Sequence, residues 1–441
     1  MKITVNPSAI IGKIKPFHAI NNAPLLGTSD QLFHYLGEAG IPYSRLHDTG
    51  GAYGGFRFVD IANIFRDWDA DPADPAAYDF AFTDWLLEKL TAQGVEPFFR
   101  LGAAIENAHY IKAYRIFPPA DNRKWAQICA GIIRHYNYGW ADGYRYPIRY
   151  WEIWNEPDNE PDTRDNPMWK GTKEQYFALY ATAANYLKEQ FPDIKIGGYG
   201  SCGFYALNDA FQANANSSPR TDYFIAFFQE FLDYITAPEH TAPLDFFSWH
   251  SYADSRSNAR YAAYVRRELD RRGLTATESL LDEWNPGIQR RGTEEDACFI
   301  ADMLLRLHDS PLDMLMYYDG QVHGSYQGLF DPVRLTVFPA YYALRAFGEL
   351  YALGGRATAE ADGELPLLAA VDPNAAVGKL LIVNTGDTPI PIEPCLPAGW
   401  RITRFRLLNG GDGLTDTPMD SPDRLTLPAK KLGMLEYAGL R

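Results

Sequence analysis

Two glutamates stand out by their settings. Glu156 lies in Trp154-Asn155-Glu156-Pro157, and Glu283 in Asp282-Glu283-Trp284-Asn285. Two carboxyl groups facing one cleft are what cleavage of a glycosidic bond requires. One starts protonated and serves the leaving oxygen. The other is ionised and acts as a nucleophile, or as a base through water. A separation of about 5–5.5 Å leads to retention of configuration and about 6.5–9.5 Å to inversion. Sequence spacing leaves that distance open. A lone glutamate at a strand end is usually solvated or salt-bridged, so the pair carries the reading. Asn155 beside the acid offers an amide donor to a sugar hydroxyl. The chain is also rich in rings, with 10 Trp, 28 Tyr and 25 Phe. Aromatic faces line clefts that bind sugars, although most such rings build core.

Eight short apolar runs, with helical patterns between them, are placed to bring the glutamates together. They begin near Ile14–Ile20, Pro42–His47, Glu96–Leu101 and Tyr150–Glu156. They continue at Ile194–Gly198, Asp245–His250, Ser279–Glu283 and Met314–Tyr318. The segment Asp79–Ala92 spaces Phe82, Trp85, Leu86 and Leu90 as a helix, and Gly94 stops it. Glu174–Gln190 repeats the pattern and ends at Phe191-Pro192. Alternation of this kind predicts an α/β fold, a (β/α)8 TIM barrel over residues 13–350. Active sites of such barrels lie at the carboxyl ends of the strands. The residues there are Arg45, His47 and Asp48 on the second run, and Asn155 and Glu156 on the fourth. His250 and Tyr252 follow the sixth, Glu283 and Trp284 the seventh, and Tyr318 and Asp319 the eighth. His18 on the first run is a further candidate for holding sugar hydroxyls.

After Gly354-Gly355 the helical patterns vanish. Short strands appear at Leu367–Val371, Lys379–Asn384, Trp400–Leu408, Arg424–Leu427 and Leu432–Tyr437. Residues 351–441 therefore read as a C-terminal antiparallel β-sandwich, joined by residues 1–12 as a further strand. Its expected role is to buttress the barrel.

Composition narrows the function classes. With 46% hydrophobic and 22% charged residues the chain is an ordinary globular one. The 41 Lys and Arg against 56 Asp and Glu give a net charge of −15, so neither nucleic acid nor an anionic membrane is an expected partner. No apolar run is long enough to cross a bilayer. The N-terminal residues lack the apolar core of a signal peptide. A cytoplasmic protein is expected, or a secreted or periplasmic one from which a leader has been removed. Cys129, Cys202, Cys298 and Cys395 are scattered and read as reduced thiols. No metal-binding spacing, G-x-S-x-G elbow or nucleotide glycine motif occurs, so no metal or organic cofactor is expected. A homo-oligomer is compatible with the sequence.

The segment Tyr150-Trp151-Glu152-Ile153-Trp154-Asn155-Glu156-Pro157-Asp158 resembles the acid/base segment of glycoside hydrolase family 39. That family belongs to clan A, the retaining barrel enzymes, and includes β-xylosidases and α-L-iduronidases. Asp282-Glu283-Trp284-Asn285 resembles its nucleophile segment. The likeness extends through Asp79–Ala103, Trp125–Trp140 and Pro339–Ala343, covering about residues 15–350. It implies Glu156 as general acid/base and Glu283 as nucleophile. Arg45 would hold Glu283 ionised, and Tyr252 would donate a hydrogen bond to it. Glu283 is expected to raise the pKa of Glu156. Asn155, His47, His250, Asp319 and His18 would meet substrate, with Trp284 and Tyr318 as stacking platforms.

Two departures from the family pattern bear on the sugar. Tyr317-Tyr318-Asp319 stands where many clan members carry a tryptophan. Tyr252 stands where iduronidase-like members place a lysine, which disfavours a uronic acid unless Arg115, Arg256 or Arg290 reaches in. The expected substrate is a β-xyloside or similar neutral glycoside. Loops Thr49–Ala77 and Asp158–Lys170 are expected to wall the mouth and favour exo-action. The competing readings are an endo-acting glycanase and an inactive carbohydrate-binding barrel.

Overall fold

A computed structural model describes residues 1–26, 29–47, 59–104, 116–322, 328–419, 421 and 424–439. Eight parallel strands close into a barrel in chain order. They are β2 (Ala19–Asn21), β3 (Tyr43–Leu46), β4 (Glu96–Leu101), β5 (Tyr150–Ile153), β6 (Lys195–Ser201), β7 (Phe246–His250), β8 (Glu278–Trp284) and β9 (Met314–Tyr317). Before them runs β1 (Lys2–Lys13). The helices are α1 (His34–Glu38), α2 (Ile61–Ile64), α3 (Ala81–Ala92), α4 (Asn122–Tyr138), α5 (Lys173–Gln190), α6 (Pro219–Thr236), α7 (Ser255–Arg271), α8 (Glu294–Arg306) and α9 (Tyr341–Leu353). Local chemistry sets their ends. Thr172 and Gln175 form a capping box that starts α5, and Ser218 with Thr221 does the same for α6.

The two-residue period of the strands sorts side chains between the barrel interior and the helical layer. Ile20, Leu46, Phe99, Trp151, Phe247, Leu281 and Leu315 face outward into the main core. Their inward neighbours form two tiers. At the bottom, Ala19, Tyr43, Phe98, Tyr150, Phe246, Leu280, Met314 and Met316 make an apolar plug. Two residues further along, the same strands carry Asn21, Arg45, Arg100, Glu152, Ser248 and Asp282, all fully buried. The barrel is thus filled, apolar below and polar above, and its chemistry is confined to the carboxyl end.

Downstream, β10 (Phe330–Asp331) and β11 (Thr336–Val337) form a small hairpin. Then follow β12 (Gly355–Ala361), β13 (Leu367–Asp372), β14 (Val377–Asn384), β15 (Ile390–Cys395), β16 (Trp400–Leu408), β17 (Leu414–Asp416), β18 (Leu425–Leu427) and β19 (Lys431–Gly439). With β1 they form one nine-stranded sheet in the order β17-β16-β19-β14-β13-β12-β1-β15-β18. The pairing is antiparallel except between β1 and β15. Alternation again decides which face goes where. Leu368, Ala370, Leu381, Val383 and Leu432 join the barrel core, while Ala369, Val371, Leu380 and Ile382 face the other way. There they meet Ile3, Val5, Ile392, Leu425 and Leu427. The sheet therefore curls so that its β15–β18 end covers its own inner face, and a sandwich is made from a single sheet.

Candidate active site

The fourth apolar run does not continue as a strand to Glu156. β5 ends at Ile153, and the chain then turns through left-handed conformations at Trp154 (φ 76°) and Glu156 (φ 47°). Such angles are costly for residues other than glycine and concentrate at functional sites. The turn is held on both sides. The Glu156 N–H donates to the Tyr199 and Gly200 carbonyls, at 3.0 and 3.1 Å. The Trp154 indole donates to the Met168 carbonyl at 2.9 Å and lies against Gly102, where a Cβ would come within 2.9 Å of the ring. The turn leaves the Glu156 carboxylate facing β7 and β8.

Opposite it, β8 delivers Glu283. The register pairs His250 with Glu283 across β7 and β8. One oxygen of Glu156, one of Glu283 and a ring nitrogen of His250 all lie within 4.8 Å of one another. Side chains of these types also ligate metals. Here their atoms are engaged with one another, and no metal is assigned to them. His250 Nδ1 is 2.8 Å from Glu156 Oε1 and 3.5 Å from Glu283 Oε2. Asn159 donates from Nδ2 to Glu156 Oε2 at 2.8 Å. Tyr252 is 38% exposed, yet its hydroxyl donates to Glu283 Oε1.

Beneath the pair, Arg45 organises the polar tier. Its Nε is 2.8 Å from Glu152 Oε2 and 3.0 Å from Asp282 Oδ2, and Nη1 is 3.5 Å from Glu283 Oε2. Nη2 donates to Asn155 Oδ1 at 2.6 Å, which turns the NH2 end of that amide away from Arg45. Asn21 accepts from Nη1, and Ser248 donates to Glu152 Oε1 at 2.6 Å. Gly200 (φ 62°) makes room for this assembly. A Cβ there would lie 2.9 Å from His250 Nε2 and 3.1 Å from Arg45 Nη2.

The charges follow from these contacts. Burial opposes the guanidinium of Arg45, but Glu152, Asp282 and Glu283 outweigh it and raise its pKa. Burial also opposes the His250 imidazolium, and Glu283, Glu156 and Asp282 overcome it, lifting its pKa to about 9. Burial raises Asp282 far above the ordinary carboxyl range. Burial and the nearby Glu156 charge leave Glu283 raised, despite His250, Arg45 and Tyr252. Glu156 departs from expectation. Burial pushes it up, but His250 and Asn159 prevail and hold it below its ordinary value. The close imidazolium thus decides the state of Glu156 in the free protein, ahead of repulsion from Glu283.

Of the other sequence candidates, His47 is buried at the end of β3, with its N–H donating to Asn22 and its carbonyl accepting from Arg100. Asp319 is buried and accepts from Asn22 Nδ2 at 3.4 Å. Tyr318 follows β9 and is nearly buried, and its carbonyl accepts from Asn285. Two candidates lie elsewhere. Trp284 is fully buried, edge-on to Tyr317 and near Phe299, because a register shift in β8 between Leu281 and Trp284 lets Asp282 and Glu283 both face inward and turns Trp284 outward. His18 precedes β2 and is fully buried, bonded to the Gly40 carbonyl and packed against Phe347 and Tyr351. Neither is a surface for sugar. Trp169 is likewise buried, against Trp154. Arg256 is paired with Glu364. Asp48, Arg115 and residues 49–58 lie outside the described residues.

Sequence reading missed Glu152, Asp282, Asn21, Ser248 and Asn159. Four of them carried a signal, each being a polar residue within an otherwise apolar strand. Asn159 had none.

The sequence pattern described as "Glycosyl hydrolases family 39" matches residues 16–307. The chain belongs to glycosyl hydrolases family 39. It is 24% identical over 313 residues to a β-xylosidase of Geobacillus stearothermophilus, covering 67% of this chain and 52% of that protein. The chain thus spans about half (52%) of that relative's length. It is 25% identical over 437 residues to a β-xylosidase of Caldicellulosiruptor saccharolyticus, covering 89% of this chain and 80% of that one. Among solved structures, a glucosidase from Croceicoccus marinus superimposes with a TM-score of 0.77 at 21% identity. It covers 100% of this chain and 99% of that one, a likeness of fold.

Proposed function

We propose that this family 39 chain is a retaining glycoside hydrolase that removes sugar units from the ends of β-xylosides or similar neutral glycosides. The observation that carries the reading is the approach of Glu156 and Glu283 to within 4.8 Å, oxygen to oxygen. Carboxylate oxygens this close favour the shorter separation of about 5–5.5 Å that goes with direct attack at the anomeric carbon. Glu283 is the nucleophile, held by Arg45 and Tyr252. Glu156 protonates the leaving oxygen, then takes a proton from the water that releases the glycosyl-enzyme. Asn155, positioned by Arg45, offers its amide to a sugar hydroxyl. His47 and Asp319 are proposed to line the same end of the barrel, with Tyr318 beside them. Two β-xylosidases among the relatives favour the pentoside.

The long connection after β5 that carries Asn159 supports action at chain ends. The curled sheet of β1 and β12–β19 is proposed to act as a buttress, because Leu368, Ala370, Leu381, Val383 and Leu432 on its barrel-facing side share the barrel core. A panel of nitrophenyl glycosides tests the reading, comprising xyloside, glucoside, galactoside, arabinoside, fucoside and iduronide, with Glu283→Gln beside the parent. Activity on the xyloside that disappears in Glu283→Gln is expected. Activity that survives the substitution overturns the assignment of Glu283. Silence across the panel, together with sugar binding, leaves a barrel that only binds.

A further inference from the structure

Glu156 must be protonated when it meets the glycosidic oxygen, yet in the free protein its surroundings hold it ionised. Its closest charged neighbour resolves the conflict. His250 Nδ1 lies 2.8 Å from Glu156 Oε1, a hydrogen-bonding distance, and the imidazole is fully buried. Its other nitrogen is 3.5 Å from Asp282 Oδ1. Around the ring stand Glu156 from the turn after β5, Asp282 and Glu283 from β8, Arg45 and His47 from β3, and Tyr252 from its own loop. Three carboxyl groups against one guanidinium favour a second cation at this position.

We propose that His250 stores the proton that Glu156 delivers to the leaving group, making it a positioning and proton-supplying residue one step behind the acid. The proposal rests on the assignment of Glu156 made above. In the free enzyme the pair is imidazolium and carboxylate. When a glycoside fills the cleft and excludes water, the neutral pair is favoured over the charged one. The Nδ1–H bond then breaks, its electron pair stays on nitrogen, and the proton forms an O–H bond on Oε1 of Glu156. Glu156 next passes that proton to the glycosidic oxygen as Glu283 attacks. In the second half-reaction Glu156 takes a proton from water and returns it to Nδ1. The cycle closes with no net change in the pair. Glu156 and Glu283, both within 3.5 Å of Nδ1, favour the imidazolium in the resting state.

His250→Asn separates this role from simple hydrogen bonding, because the asparagine amide can occupy the Nδ1 position but cannot titrate. Two substrates are compared, phenyl β-xyloside, whose leaving group needs a proton, and 2,4-dinitrophenyl β-xyloside, whose leaving group does not. The expected result is a loss of about 100-fold or more in kcat/KM on the phenyl substrate and less than about tenfold on the dinitrophenyl one. The basic limb of the kcat/KM profile should also fall by about two pH units or more, because the proton must then rest on a carboxyl group. Equal losses on both substrates with an unmoved basic limb overturn the proposal.

A second measurement needs no turnover. Nitrogen-15 spectra of histidine-labelled parent protein at pH 7.5, with His250 assigned by its absence in His250→Asn, should show a protonated ring. A neutral ring overturns the proposal, even if the variant proves too unstable for kinetics. A parent protein inactive on both xylosides counts against the proposed substrate. The proton store then stands or falls on the spectra.

Discussion

Glu156 and Glu283 present carboxylate oxygens within 4.8 Å of each other across the mouth of the barrel. From that distance follows a stereochemical expectation. Hydrolysis monitored by proton NMR should release the β-anomer first from a β-glycoside, with the α-anomer appearing only by mutarotation. Immediate appearance of the α-anomer contradicts the double displacement. Glu156→Ala with sodium azide on a dinitrophenyl substrate should yield a β-glycosyl azide, because the small anion needs no base.

Tyr252 donates a hydrogen bond to the Glu283 carboxylate. Hydrogen bonds to charged groups are worth about 1.5–3 kcal/mol. Tyr252→Phe should therefore lower kcat/KM by roughly 10- to 100-fold while leaving the melting temperature close to the parent's. Parent-like kinetics in the variant means that this contact does not serve the nucleophile.

Arg45 is fully buried among Glu152, Asp282 and Glu283. Removing one partner from a buried ionic cluster leaves uncompensated charge and costs about 3–5 kcal/mol. Arg45→Met should lose about that much stability in urea as well as activity. A variant as stable as the parent shows that protonation of the carboxyl groups relieves the cluster unaided.

His18 is buried with its pKa pushed down to about 4 by burial, against an ordinary value of 6.5. The folded protein keeps it neutral, and the unfolded chain protonates it first as pH falls. Its contribution is therefore intact above pH 6.5 and declines between 6.5 and about 4. The loss amounts to about 3 kcal/mol. His308, pushed down to about 3 by burial, adds a second decline of the same sign. In His18→Leu the fall of urea stability between pH 6.5 and 4.5 should be shallower by nearly one proton. Identical slopes in the two proteins refute this account of His18.

Trp284 is core, despite its place next to Glu283. Trp284→Phe should cost about 1–3 kcal/mol of stability through lost packing. KM on the preferred aryl glycoside should stay within roughly twofold. A large rise in KM returns Trp284 to the substrate cleft.

Much of the barrel was legible because period-two and helical patterns are local. All eight strands fall on the apolar runs, and the observed α3 and α5 start within two residues of the expected helices. Glu156 and Glu283 were legible because their neighbours are chemically unusual. His18 and Trp284 were misread for a shared reason, since a residue type suited to sugar binding says nothing about which way its Cβ points. Trp284 is turned outward by a register shift in β8 that local alternation does not reveal, and His18 precedes its strand on the side away from the mouth.

The sequence by itself determined the order of the barrel elements, the apolar runs that became its strands, and the family. These follow from periodicity and from short motifs, which depend on neighbours along the chain. Tertiary structure alone decided the distance between the carboxylates, the His250 bridge and the convergence of Asn21, Arg45, Glu152, Ser248 and Asp282 from five strands. It also decided that His250 and Asn159 hold the Glu156 carboxyl below its ordinary pKa. Each of these depends on groups far apart in the chain meeting in a medium of low polarity, where a shift of an ångström changes which charge prevails.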